Sequence, residues 1–535
     1  MPSKVAQNLF NNLRKSEIIK DEGDRIKVHS VIGAAAFVYE KVRNAIDYNE
    51  EHLIRKNAIN RILRRKLLLE KVILENYLLD KHHHDNISEQ LLQELIRAKY
   101  VENDIPVTMI EVIDKIIQKY NLLINTIKEN EGNIDKKVFR SLLQMAAVEI
   151  EQTLIPPKKE AALARAMFSA FNPRIKLMTR SVDEKEKELQ LYINCYRALF
   201  KWDESMLEYL MMNLYYPKWK NADTDLIKKI ANNFDKVNKE FQKHLHHPWK
   251  KQIYRILNKK AIVFWIMNDI YDKNEKDIDD IIANPDELES AIKKACQKRY
   301  KEVRVKLRRG VVRSIIYVFF TKMILALLLE LPMDLYLSGF INYTTLTINI
   351  LFPPLIMLVV AMMIRMPRKE NTKKIIEIIS SIIGTGTVKK DYELERPKHR
   401  GSVVGFIFNS IYALTFIFSI FVIFWILENF NFNIFSSLIF VLFLTLVSFF
   451  GIRIRRPVNE LLAVEKKDNI LSAIIDFFSL PFVSMGRFMS EKFSKINFIA
   501  FLLDFIIEAP FKLLIEIFED LFGFLREKKN DVMDN

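Results

Sequence analysis

The sequence predicts an all-α protein: a polytopic helical membrane protein with a large helical cytoplasmic N-terminal domain and an amphipathic helical C-terminal tail. Three observations support this prediction. Long stretches without a charged residue appear between residues 311 and 452. The first 300 residues repeat apolar side chains at helical spacing and contain only three glycines. The net charge is +15. The chain therefore divides into at least two domains, one polar and one apolar.

Residues 1–284 are predicted to form a cytoplasmic domain of helices, because no run of alternating β-branched residues bounded by turns occurs there. Pro156 and Pro157 interrupt the helical pattern and mark an internal sub-boundary near 156–157. Cys195 and Cys296 are too few for a disulfide framework, so the domain suits a reducing compartment. The predicted helices lie at residues 26–47, 50–80, 88–102, 106–128, 133–154, 158–171, 182–200, 203–216, 223–245 and 249–272.

A basic helical stalk is predicted over residues 285–310. Asn284 is a capping residue, Pro285 fits the first helical turn, and Asp286 places an acid at the positive end of the helix dipole. Residues 293–309 contain nine basic residues against one acid. At about 1.5 Å per residue the stalk would be on the order of 35 Å long.

The membrane domain is predicted at residues 311–452, as four helices. No charged residue occurs in residues 335–364, 401–427 or 429–452, runs of 30, 27 and 24 residues. A hydrocarbon core about 30 Å thick needs roughly 20 apolar residues of helix, so each run is long enough to cross it. The predicted spans are 311–337, 341–364, 403–427 and 434–452, and the first of them carries internal charges.

The basic residues beside the spans predict the orientation. Residues 365–400 contain ten basic residues against five acids, and Arg453, Arg455 and Arg456 follow the last span, whereas residues 331–340 and 428–433 contain no Lys or Arg. Since positive residues stay on the cytoplasmic side, four spans with both termini in the cytoplasm place every basic flank on one face. Three spans would put one basic flank on the wrong side. The predicted location is the cytoplasmic membrane.

Residues 453–535 are predicted to form a cytoplasmic or interfacial amphipathic tail. Asp504, Glu508, Lys512 and Glu516 lie four residues apart, so one helix face is charged and the other is apolar. Such a helix lies in a membrane interface or packs on another element.

Lys322 and Glu330 are candidate functional charges inside the membrane, since ionisable residues within a span suggest a functional site. They lie eight residues apart, roughly on one helix face. The alternatives are that Lys322 extends to the interface or that the span is shifted. Asn349 and Asn409 are further polar residues within spans, and they more often form interhelical hydrogen bonds than line a path.

A basic and aromatic face is predicted before the stalk. Its members are Lys218, Trp219, Lys220, Trp249, Lys250, Lys251 and Arg255. Such a face suits anionic lipid headgroups or nucleic acid, and the attachment to a membrane favours lipid. The alternative is an ordinary solvated surface.

No catalytic, cofactor or metal site is predicted. Residues 82–85 and the histidines at 244, 246 and 247 would be the only metal candidates, but adjacent histidines on a helix point in different directions. The glycines at 384 and 386 lack the spacing of a phosphate-binding loop. An enzyme is therefore not supported by any motif.

The sequence favours a non-enzymatic membrane anchor or scaffold, whose cytoplasmic helical domain binds anionic lipid or a protein partner. One alternative is a subunit of an oligomeric channel or transporter, because four spans seldom enclose a pathway alone. A second alternative is a membrane enzyme acting on lipid. Homo-oligomers fit any of the three, and nucleic acid ranks below lipid as a partner.

Overall fold

The computed structural model describes residues 3–15, 24–26, 37, 40, 50–76, 87–177, 184–339, 343–384, 391–394, 402–464 and 481–488. Within these residues, regular structure is helical apart from two three-residue strands, which confirms the prediction of an all-α protein. The chain divides into two compact units. The N-terminal unit comprises Leu9–Asn172, Thr179–Tyr254 and Phe498–Asn535, and the apolar-helix unit comprises Met1–Asn8, Pro173–Met178 and Arg255–Asn497.

The helices up to residue 258 are α1 Lys4–Arg14, α2 Glu51–Asn76, α3 Ile87–Arg97, α4 Met109–Glu131, α5 Lys136–Leu154, α6 Lys158–Phe171, α7 Glu184–Phe200, α8 Glu204–Tyr215, α9 Thr224–Ala231, α10 Phe234–Leu245 and α11 Lys250–Asn258. Along the chain, the boundary between the N-terminal unit and the apolar-helix unit falls between Tyr254 and Arg255, within α11. The predicted domain boundary at 284–285 and the sub-boundary near 156–157 stay predictions.

Helix α5 is the central helix of the N-terminal unit. Nine of its residues between 142 and 151 are buried, on all sides of the helix, and it packs against α2, α4 and α8. Seven of the nine are apolar and the other two, Glu149 and Glu151, are ion-paired, so this helix is stable only inside a core. The Asp135 carboxylate accepts a hydrogen bond from the Lys137 amide and fixes the start of α5.

Two of the predicted helices are divided in the structure. Predicted helix 223–245 is interrupted at Asn232 and Asn233, where the Asn233 side chain donates to the Lys229 carbonyl. Asparagine competes for backbone hydrogen bonds in this way, which disfavours a continuous helix. Predicted helix 249–272 is interrupted at Lys259 and Lys260. Predicted helix 26–47 lies largely outside the described residues.

The remaining elements belong to the apolar-helix unit. They are β1 Ile175–Leu177, α12 Ala261–Lys273, α13 Ile278–Ala283, α14 Pro285–Leu325, α15 Leu331–Ser338, α16 Tyr343–Met362, α17 Lys369–Ile383, β2 Tyr392–Leu394, α18 Ser402–Asn429 and α19 Ile434–Glu460. Strands β1 and β2 pair in parallel, with Ile175 opposite Tyr392.

Helix α14 starts as the sequence predicts. The Asn284 side chain accepts a hydrogen bond from the Asp286 amide, and Pro285 occupies the first turn. The helix then continues for 41 residues, about 60 Å, so the predicted stalk and most of the first predicted span form one element. Five residues in π-helical conformation, Ala326–Glu330, connect α14 to α15.

Four helical segments are long and apolar enough to cross a membrane: Pro285–Met333, Tyr343–Met362, Phe406–Asn429 and Ile434–Glu460. Each overlaps one of the four predicted spans, and all four are compatible with membrane insertion. Helices α14, α16 and α19 pack on one another. Their shared core contains Val318, Met357, Phe443 and Val447.

A buried asparagine joins three parts of the apolar-helix unit. Asn371, at the start of α17, donates to the Tyr300 hydroxyl of α14 at 2.9 Å and to the Leu461 carbonyl at 2.8 Å. The side-chain oxygen of Asn371 accepts a hydrogen bond from the Ala463 backbone amide at 2.7 Å. One amide thus connects α14, α17 and the chain that leaves α19. The predicted tail helix with Asp504 lies outside the described residues.

Candidate functional site

The two charges predicted inside the first span contact each other. Lys322 lies near the end of α14 and Glu330 at the end of the π-helical segment, and the lysine ammonium forms an ion pair with the glutamate carboxylate. Both side chains are buried, with 0% and 1% of their surface exposed. The pair is therefore enclosed by protein.

Pro332 explains why the helix is irregular at this point. A proline inside a helix lacks an amide donor, and its ring collides with the carbonyl four residues earlier. The Leu331 amide bonds instead to the Ala326 carbonyl, five residues back, which widens the turn.

The widened turn also brings the two charges together. In a regular α-helix, residues eight apart differ by about 80° around the axis. The extra residue of a π turn makes the separation equivalent to seven residues, about 20°. Glu330 therefore lies on the face of Lys322, one to two turns further along.

Two other helices complete the site. The Asn349 side chain of α16 donates from Nδ2 to the second carboxylate oxygen of Glu330 at 2.6 Å. The Phe443 ring of α19 lies 4.9 Å from the Lys322 ammonium, in cation–π geometry. We call this group, Lys322, Glu330, Asn349 and Phe443, the intramembrane polar cluster. It connects the three helices that share the apolar core.

The chemistry of the cluster is that of a neutral, closed network. The positive and negative charges cancel, and Glu330 accepts from both Lys322 and Asn349. Within the described part of the chain, the Asn349 side-chain oxygen is buried and lacks a hydrogen-bond partner. Pro353 and Pro354 are buried one turn further along α16. The cluster can fix the packing of three helices.

The residues of the predicted basic and aromatic face are only partly on the surface. Trp219 is fully buried and Trp249 is 4% exposed, so both tryptophan rings lie in the core. Lys250 is partly exposed. The residues that remain on the surface are Lys218, Lys220, Lys251 and Arg255. The aromatic part of this face is therefore unavailable to a lipid headgroup or a base, while most of the basic part is accessible.

Trp219 packs instead beside a buried ion pair, Lys119 and Glu149, which sequence patterns did not reveal. Lys119 donates to the Glu149 carboxylate at 2.5 Å and to the Trp219 carbonyl at 3.0 Å, and its ammonium lies 4.7 Å from the Trp219 ring. Burial lowers the pKa of Lys119 and raises the pKa of Glu149, while their mutual attraction opposes both shifts. The two residues are 30 positions apart on α4 and α5, so no local spacing links them.

A second buried group surrounds Glu151 of α5. Arg55 donates to the Glu151 carboxylate at 2.9 Å, and the nearby Glu160 accepts from the Trp202 indole at 3.1 Å. Burial, with a contribution from Glu151, raises the pKa of Glu160 to about 7. Burial and the neighbouring Arg55 lower the pKa of His52 to about 4. His52 is therefore uncharged at neutral pH, whereas Glu160 is about half ionised there.

The histidine candidates have ordinary structural partners. His244 is buried, with Nδ1 3.1 Å from a Glu186 oxygen and Nε2 2.8 Å from the Tyr215 hydroxyl. His246 is exposed, and residues 82–85 lie outside the described residues. Among the residues that the structure describes, no three His, Cys, Asp or Glu side chains are grouped to bind a metal ion. Cys195 and Cys296 are buried free thiols.

Comparison of the chain with protein-family models, with curated proteins and with solved structures finds no match. Function must therefore be argued from the four apolar helices, the intramembrane polar cluster and the distribution of exposed charge.

Proposed function

We propose that this chain is a multi-pass protein of the cytoplasmic membrane that acts as a non-enzymatic anchor or scaffold for its helical N-terminal domain. The observation that supports it most is the closure of the intramembrane polar cluster. Lys322 and Glu330 are 0% and 1% exposed and neutralise each other. A scaffold needs such groups only to hold helices together, whereas a pathway needs polar groups that face an open space.

The proposed orientation places both termini in the cytoplasm. It is supported by exposed basic residues that flank the apolar parts of three helices: Arg308 and Arg309, Arg365 and Arg368, and Arg455 and Arg456. Single cysteines placed at exposed positions and labelled from one side of a vesicle test it. Labelling from outside an intact cell at Arg368→Cys would contradict this orientation.

The proposed partner is anionic lipid, bound by the exposed residues Lys218, Lys220, Lys251 and Arg255 without a contribution from the tryptophans. Charge attraction to an anionic surface is worth about 1 kcal/mol per basic residue near the membrane. The alternative partner is a cytoplasmic protein with an acidic surface.

Amine labelling of the full-length protein in nanodiscs tests the lipid interaction. Replacing phosphatidylcholine by phosphatidylglycerol should protect Lys218 and Lys251 from an amine-reactive reagent, and high salt should remove the protection. Lys136, exposed at the start of α5, is the internal control. Equal labelling of all three lysines in both lipids would count against lipid as the partner.

The second candidate function is a subunit of an oligomeric channel or transporter. The feature that favours it is the location of Glu330 in a π-helical segment beside Pro332, since such irregularities often occur at functional sites. Ion flux into liposomes that contain the protein tests it. Flux that is lost in Lys322→Met and kept in Lys306→Met, an exposed position on the same helix, would replace the scaffold proposal.

A further inference from the structure

The part of α14 that precedes its apolar stretch exposes a wide basic surface. Eight of the eleven exposed residues between 293 and 309 are basic, and the other three are Gln297, Glu302 and Val305. At about 100° per residue, the eight cover roughly 220° of the helix circumference over about 24 Å of its length. We call them the basic face of α14: Lys293, Lys294, Lys298, Lys301, Arg304, Lys306, Arg308 and Arg309.

The opposite side of α14 is packed, which fixes the direction of this face. The Tyr300 hydroxyl lies 3.3 Å from the Thr372 hydroxyl of α17. The Arg299 guanidinium donates to the Asp269 carboxylate of α12 at 2.8 Å. The basic face therefore lies away from α12 and α17.

The charges of the basic face are not neutralised by acidic side chains. Lys293 forms an ion pair with Glu289 at 2.6 Å, and none of the other seven bases forms an ion pair with a described residue. On α10, by contrast, Lys239 pairs with Asp235 at 2.9 Å. Neighbouring bases of the face lie three or four residues apart, where like charges on a helix repel each other. A bound polyanion would relieve this repulsion.

The outer bases lie too far from the apolar stretch for lipid headgroups to bind them. This step rests on the proposed membrane insertion. The apolar stretch starts at Val311, so Lys301 lies about 15 Å and Lys294 about 26 Å before it along the helix. The headgroup region is about 5–8 Å thick, and attraction beyond it decays within about 8 Å at physiological salt. Helix side chains also tilt toward the N-terminus, which is the end farther from the membrane.

The basic face lacks the side chains that other acidic partners need. Protein interfaces are anchored by large buried side chains, and Val305 is the only exposed apolar residue between 293 and 309. Single-stranded nucleic acid stacks on aromatic rings, and none is exposed in this stretch. An RNA duplex is recognised in part through its 2′-hydroxyl groups, but Lys and Arg offer these groups no acceptor. What the face supplies is positive charge alone.

We propose that the basic face of α14 binds the phosphate backbone of double-stranded DNA without reading its sequence. B-DNA carries one negative charge per about 1.7 Å of axis, so a duplex beside this face presents on the order of 14 phosphates over about 24 Å. Contacts to phosphates position a protein on DNA but carry no sequence information. The membrane anchor then holds DNA next to the bilayer.

Fluorescence anisotropy of a short labelled duplex, titrated with the full-length protein in phosphatidylcholine nanodiscs at several salt concentrations, tests the proposal. The logarithm of the affinity should fall linearly with the logarithm of the salt concentration. The triple variant Lys294→Gln, Lys298→Gln, Lys301→Gln loses three phosphate contacts. Its slope should therefore be smaller in magnitude by about 2–3 than that of the parent protein.

A second triple variant is the matched control. Lys128→Gln, Lys136→Gln and Lys236→Gln remove three exposed lysines of the N-terminal unit, so the net charge changes equally. The slope should equal that of the parent protein. Equal slopes in the parent and in the α14 triple variant would overturn the proposal, because the contacts would then lie elsewhere.

The remaining outcomes separate this inference from its alternatives and from the proposed function. Tighter binding of an RNA duplex, of a single strand or of polyglutamate than of the DNA duplex would overturn it in favour of that partner. Protein that resists extraction from membranes by alkaline carbonate but does not bind the duplex would overturn DNA binding alone. Protein that carbonate extracts would overturn the membrane anchor, and the exclusion of lipid with it.

Discussion

Breaking the Lys322–Glu330 pair on one side should destabilise the apolar-helix unit far more than removing both charges. Lys322→Met leaves the Glu330 carboxylate buried at 1% exposure without its counter-charge. Glu330→Gln leaves the Lys322 ammonium without a counter-charge, beside a neutral amide oxygen and the Phe443 ring 4.9 Å away. The double variant removes both charges and keeps similar side-chain volumes.

The expected magnitudes follow from these contacts. Removing one partner of a buried ion pair costs about 3–5 kcal/mol, whereas replacing the whole pair is often neutral. In Lys322→Met, the hydrogen bond from Asn349 at 2.6 Å still stabilises Glu330, so the cost should lie near the lower value. The two single variants together should cost about 6 kcal/mol or more, and the double variant less than about 1 kcal/mol.

The free energy of unfolding in mixed detergent micelles, measured by titration with a denaturing detergent, provides the assay. Lys306→Met, an exposed substitution of the same type on α14, should change it by less than about 0.5 kcal/mol. Single variants that each cost less than about 1 kcal/mol would refute the burial argument. A double variant whose cost equals the sum of the single variants would refute the pairing.

Three further substitutions test other buried polar contacts. Asn371→Ala removes the side chain that bonds the Leu461 carbonyl and the Ala463 and Val464 amides, and it should lower the free energy of unfolding by about 2–3 kcal/mol and expose a protease site near residue 464. Lys119→Met leaves Glu149 unpaired and should cost about 3–5 kcal/mol, measured by thermal unfolding; an unchanged melting temperature would exclude a structural role. Glu160→Gln should stabilise the protein at pH 8 by up to about 3 kcal/mol and leave its stability unchanged at pH 4. The pKa of Glu160 is raised from 4.5 to about 7 in the folded protein, so between these values the folded protein keeps a proton that the unfolded chain releases. The free energy of unfolding of the parent protein therefore falls as pH rises through this range. Equal stability of Glu160→Gln and parent at both pH values would contradict the raised pKa.

The sequence predicted the features that depend on local pattern. Runs without charge located three of the four apolar helices, and the order Asn284, Pro285, Asp286 located the start of α14, because a cap and a proline act within one turn. The eight-residue spacing also predicted that Lys322 and Glu330 share a face. In a regular helix, two residues eight apart differ by about 80° around the axis. Lys322 and Glu330 share a face only because of the π turn that Pro332 introduces.

Features that depend on tertiary contact were not predictable from pattern. Trp219 and Trp249 lie beside lysines and resemble interfacial anchors in sequence, yet both are buried, because the neighbouring helices of the N-terminal unit cover them. Trp219 packs with Lys119 and Tyr120, 100 and 99 positions earlier in the chain. Asn371 looked like any polar residue at the start of an amphipathic helix. Its hydrogen bonds reach α14 and the chain after α19, which only the folded structure brings together.

The polar contacts indicate which helices are fixed and which is available. Packing between helices in a bilayer has no hydrophobic driving force, so interhelical polar contacts and close packing must specify it. The intramembrane polar cluster joins α14 and α16 and touches α19 through Phe443, while Asn371 joins α14 to the chain after α19. Helix α18 meets the bundle near its C-terminal end, where Leu427 packs on Phe440. Residues 406–414 of α18 are exposed or partly exposed, so they lie outside the contacts that join the other three helices.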